Sequence, residues 1–106
     1  MDNFKIIYKI LRYLEKAMDY EEPDFSAISP ESLGISRERW SALLIMLCKD
    51  GYIDGIAWTN TLASGSPSIA EPIHPTITLK GLEYLSENSM MRKAQKLLSG
   101  AIEVIR

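Results

Sequence analysis

The stretch TITLKGLEYL, Thr76 to Leu85, runs a short β-branched segment straight into a helix-forming one with no linker between them. Thr78 is placed to cap the helix. Gly81, in its first turn, lets the backbone come close to packed neighbours that a side chain would hold off. Leu82 and Leu85 are expected to face inward. A strand that turns directly into a packed helix needs a partner strand and further helices to complete a core, and this requirement constrains the rest of the chain.

The partners are legible upstream. Ile7, Ile10, Leu11, Leu14 and Met18 fall at three- and four-residue spacing, which lays one apolar stripe along a first helix from Asn3 to about Met18. Pro23 fixes φ and disfavours a helical Glu22, so the chain leaves that helix in an acidic segment. Ser29-Pro30-Glu31 supplies a capping serine, a proline where its missing N–H costs nothing, and a carboxylate at the positive end of a short second helix, which Gly34 ends. Ser36 caps a third helix, RERWSALLIMLCKD, with Trp40, Leu43, Leu44 and Leu47 inward and a stop at Asp50-Gly51. YIDGIAW reads as a strand in which Gly55 marks a bulge or the close approach of another backbone. Thr59 to Pro75 reads as a long loop with three prolines, and Thr76 to Leu79 as the returning antiparallel strand. Ser89 caps a last helix, whose seam is Met91, Ala94, Leu98, Ala101 and Ile105.

The expectation is one α+β domain over residues 1–106, with 89–106 as an additional C-terminal helix. At 106 residues there is no room for a second domain. No apolar run approaches the roughly 18 to 20 residues needed to span a bilayer, and the first residues lack the pattern of a signal peptide, which points to the cytoplasm and away from a membrane. One cysteine, Cys48, and one histidine, His74, cannot close a zinc site or form an internal disulfide, so no metal and no cofactor is expected. His74 between Ile73 and Pro75 has no evident nucleophile or carboxylate partner, and Cys48 at a helix end reads as a small packed residue. No catalytic residue is assigned, and an enzyme is the least favoured class.

Three helices, a hairpin with a long tip and a capped helix after it resemble a winged helix, on LCKDGYI (Leu47 to Ile53) leading into the hairpin and ITLKGLEYL (Ile77 to Leu85) leaving it. Together with GISRERWSALLIML, DGYIDGI and the additional C-terminal helix, the chain resembles the YjcQ family of small bacterial and phage proteins. The resemblance implies a winged-helix fold and no particular activity. The long tip, Thr59 to Pro75, departs from the family's shorter loop.

In a winged helix that binds double-stranded DNA, the third helix enters the major groove and the hairpin tip touches the backbone. The phase that puts Trp40 inward puts Glu38, Ala42, Ile45 and Lys49 outward, flanked by Arg39, Ser41 and Met46. Arg37, Arg39, Ser41, Ile45 and Lys49 are therefore the candidate contacts to DNA or to a protein partner. The leading expectation is a non-enzymatic winged helix that binds DNA as a dimer through this helix. The alternative is a protein-interaction module in a phage or host assembly. From Thr59 to Leu79 there is no Lys or Arg, which disfavours a phosphate-binding tip, whereas Ala42, Ile45 and Met46 suit a protein. The seam at Met91, Ala94, Leu98, Ala101 and Ile105 is the candidate homodimer interface.

Overall fold

The computed structural model describes residues 2–60 and 67–88. Asp2, in extended backbone, accepts a hydrogen bond from the Phe4 amide at 2.8 Å and so satisfies one of the free donors that begin helix α1 (Asn3–Ala17). The buried stripe of α1 is Ile6, Ile10, Leu11 and Leu14. Two expected members differ: Ile7 is only half-buried, and Met18, which lies past the last helical residue, is 62% exposed. The burial arc is rotated toward Ile6 because the side of α1 that carries Ile7 borders an open groove.

The Tyr13 hydroxyl donates to the Asp24 carbonyl and holds the acidic connection against α1. Asp24 then caps a 3₁₀ turn (Phe25–Ile28), its carboxylate accepting from the Ser26 amide at 3.0 Å. The hydrogen bonds from Ser26, side chain first and backbone second, hold the Asp24 carboxyl below the usual range. Helix α2 (Pro30–Leu33) is capped by Ser29, whose hydroxyl accepts from the Ser32 amide at 3.1 Å. Gly34, in the left-handed region at φ 72°, ends it, with the Gly34 and Ile35 amides donating to the last free carbonyls.

Ser36 begins helix α3 (Arg37–Lys49), accepting from the Arg39 amide at 3.1 Å. Trp40, Leu43, Leu44 and Leu47 are buried as expected. The Trp40 indole N–H donates to the Ile28 carbonyl at 2.8 Å, so the largest side chain of the core enters it without leaving a polar atom unpaired.

The chain then forms two short antiparallel ladders. Strand β1 (Ile53–Asp54) pairs with β4 (Thr76–Ile77) in the register Ile53 opposite Ile77. Strand β2 (Trp58–Asn60) pairs with β3 (Pro67–Ile69), Trp58 opposite Ile69. The pairs are nested, so they are the base and the outer part of one hairpin, and the base pairing is the one expected from YIDGIAW and Thr76–Leu79. The expectation of one continuous strand and a structureless loop over Thr59–Pro75 is corrected. Gly55, at φ 88°, breaks the strand, and a Cβ there would fall 2.6 Å from the His74 carbonyl oxygen. The outgoing strand therefore ends where the two backbones meet and resumes as β2.

Helix α4 is described over residues 79–88. The Thr78 hydroxyl accepts from the Gly81 amide at 3.1 Å and donates to the Gly51 carbonyl at 2.5 Å, so one side chain caps α4 and ties it to the turn after α3. A Cβ on Gly81 would lie 2.6 Å from Ile77 Cγ1 and would also meet the Tyr52 carbonyl, so the glycine is needed for close packing. Leu85 is buried and Leu82 half-buried. The resulting α+β body has one core, in which Ile6, Ile10 and Leu14 of α1 meet Trp40 and Leu44 of α3, Ile53 of β1 and Leu85 of α4. Each such side chain contributes on the order of 1.5–3 kcal/mol by leaving water. The expected C-terminal helix with its seam at Met91, Ala94, Leu98, Ala101 and Ile105 lies outside the described residues.

Candidate functional site

The solvent side of α3 carries Arg37, Glu38, Arg39, Ala42, Met46 and Lys49. Two residues expected there are not: Ser41 is 6% exposed and Ile45 7%. The reason is the hairpin. Strand β3 lies against α3, and the cleft between them is lined by Arg37, Ser41, Ala42, Ser68 and Ile69. Ser41 belongs to that wall, and Ile45 is one turn further along the same face. The helix is covered on two sides rather than one, so its buried arc is wider than the periodicity of its largest residues suggests.

Arg37 is not a free cation at the head of the helix. Its guanidinium is 3.3 Å from a Glu71 carboxylate oxygen and lies 5.2 Å from the centroid of the Trp40 ring. Both members of the ion pair are about half exposed, which limits its worth to roughly 0–1 kcal/mol, but it joins the start of α3 to the segment after β3 and turns Arg37 toward the protein. Arg39 and Lys49 are exposed at opposite ends of the helix, about 15 Å apart by the helical rise. Between them the surface is Ala42 and Met46, the latter 52% exposed. The arrangement can offer a small apolar contact with charges of both signs at its edge.

On the opposite flank of α3, where α1 and α4 converge, sequence reasoning missed an open groove of about 380 Å3 lined by Phe4, Ile7, Met46, Leu47, Tyr52 and Tyr84. Phe4 is 70% exposed on its rim. Tyr84 meets Tyr52 edge-on at 5.7 Å, and Lys80 Nζ sits 4.8 Å from the centre of the Tyr52 ring while donating to the Asp50 carbonyl at 2.9 Å. Partial burial pushes the Tyr84 hydroxyl above the ordinary tyrosine range, and like charge at Tyr52 and Asp2 adds to it. The signal in the sequence was Phe4 and Ile7, which share a face at i, i+3 in a helix whose buried stripe lies at Ile6 and Ile10.

His74 is exposed, its ring edge-on to Phe25 at 6.1 Å, and Cys48 is half-buried near the end of α3. Among the described residues, no three or more His, Cys, Asp or Glu side chains are grouped to hold a metal ion, and no helix is long and apolar enough to cross a membrane.

No curated protein and no solved structure matches the chain. The family model described as YjcQ protein matches residues 8–103, from the first half of α1 through the hairpin and α4 to beyond the last described residue, and the chain belongs to the YjcQ family.

Proposed function

We propose that this protein is a non-enzymatic winged-helix domain that works by binding another protein through the solvent side of α3. The winged-helix reading rests on the order of α1, α2 and α3 followed by a nested hairpin and α4, with the hairpin packed on α3. The partner class rests on one observation: the exposed strip of α3 is Ala42 and Met46 between charges of both signs, while Arg37, the cation best placed at the head of the helix, is taken by Glu71. An apolar centre with a mixed polar rim suits a protein surface; a duplex needs several free cations to displace counterions.

The DNA-binding reading keeps one specific support, since Arg37, Arg39 and Lys49 all lie on the exposed side of α3. A photo-crosslinking residue at Ala42 and a titration with duplex separate the two. The protein reading expects crosslinking in cells to a protein at Ala42 and none at Arg12, which lies on α1. It also expects no complex with random-sequence duplex at low salt and micromolar protein. A duplex complex whose affinity falls steeply with salt would replace it with the DNA reading.

A further inference from the structure

The groove between α1, α3 and α4 leaves Phe4 and Met46 largely in water although both line an apolar wall. Apolar side chains gathered in one concavity favour burial against something of matching shape and charge. Charge is divided unevenly along the chain. Of 12 basic and 14 acidic residues, four basic and one acidic fall in 89–106, giving that segment +3 and leaving −5 on residues 1–88. Asp50 lines the groove, and Asp2 is close enough for its charge to be felt at Tyr84. The basic segment is also the most apolar part of the sequence, with Met91, Ala94, Leu98, Ala101 and Ile105 at alternating three- and four-residue spacing and Arg92, Lys93 and Lys96 between them.

We propose that this groove receives residues 89–106 of a second copy of the chain, each copy giving its C-terminal segment to the other in a two-fold exchange. Tyr84 forms part of the groove wall, and α4 is still helical at Asn88, one turn beyond it, where the Asn88 side-chain amide donates to the Tyr84 carbonyl at 2.9 Å. From Leu82 to Ser99 the chain has neither Gly nor Pro to reverse its course. The segment therefore leaves along the axis of α4, past its own groove, and is presented to another molecule. The apolar seam fills the partner's groove against Phe4, Ile7 and Met46, while the basic residues meet the acidic body. An isologous pairing of this kind closes at two copies and adds no unpaired surface. It uses the flank of α3 opposite the hairpin, so it is independent of the contact through Ala42.

The test uses full-length chains with Cys48 changed to Ala. One variant carries Phe4→Cys alone, and a second set carries Met91→Cys, Ala94→Cys or Leu98→Cys alone, so that a mixed disulfide between the two can only join different molecules. Met46→Cys provides a second groove position and Ser32→Cys, on α2, the control. The proposal expects a mixed disulfide-linked dimer under mild oxidation for at least one seam position with Phe4→Cys or Met46→Cys, and a dimer by light scattering for the unmodified protein. Mixed disulfide no greater than with Ser32→Cys would overturn it. So would a chain carrying both cysteines that closes only upon itself, because the occupant would then be the chain's own segment.

Discussion

Trp40 contributes more to this core than its area, because its ring fills the space between α1 and α3 while its N–H meets the Ile28 carbonyl at 2.8 Å. Trp40→Ala removes both and is expected to cost about 3–5 kcal/mol, read as a large fall in urea midpoint or melting temperature. Trp40→Phe keeps most of the ring and leaves the carbonyl without its donor, so roughly 1–3 kcal/mol is expected. An unshifted melting temperature for the alanine variant would mean that Trp40 is not a core residue. Its inward direction could be read from its spacing to Leu43, Leu44 and Leu47. The burial of Ser41 and Ile45 could not be read that way, because a small polar residue and an isoleucine on the flank of a helix are covered only if another element lies there, and that element is β3.

Elements in this chain are joined by side chains that serve two neighbours. Thr78 caps α4 through the Gly81 amide and donates to the Gly51 carbonyl after α3, so it fixes the angle between the hairpin base and both helices. Thr78→Ala is expected to destabilise the fold by about 1–2 kcal/mol, and Thr78→Ser, which keeps the oxygen, by less than about half of that, as judged by chemical denaturation. Equal losses for the two would show that the Thr78 methyl group, not the hydroxyl, matters. The Arg37–Glu71 pair joins α3 to the hairpin in a similar way, but in solvent, where its contribution is small. Starts and stops of α2, α3 and α4 were evident in Ser29-Pro30, Gly34, Ser36 and Thr78, since capping depends on residues within one turn.

Across the whole molecule one cluster of buried residues runs from α1 through the 3₁₀ turn, α3 and the hairpin to α4, so the hairpin is expected to unfold with the helices. In the Trp40→Phe protein the fluorescence reports Trp58 of β2 alone, and its denaturation midpoint should coincide with the helical signal in circular dichroism. An earlier fluorescence transition would mean that the outer ladder melts separately. What the sequence by itself determined were the quantities set by near neighbours: helix limits from caps, the inward face of each helix from spacing, the α+β class from the order of the segments, and the need for glycine at the corner after β4. Only the tertiary structure decided that YIDGIAW is two strands, since the break at Gly55 arises from the His74 carbonyl, 19 residues away in sequence. It alone decided that Arg37 turns to Glu71 and that an open groove lies beside Phe4. Those features depend on which distant segments meet, and a local pattern carries no term for the packing of surfaces that come together only on folding.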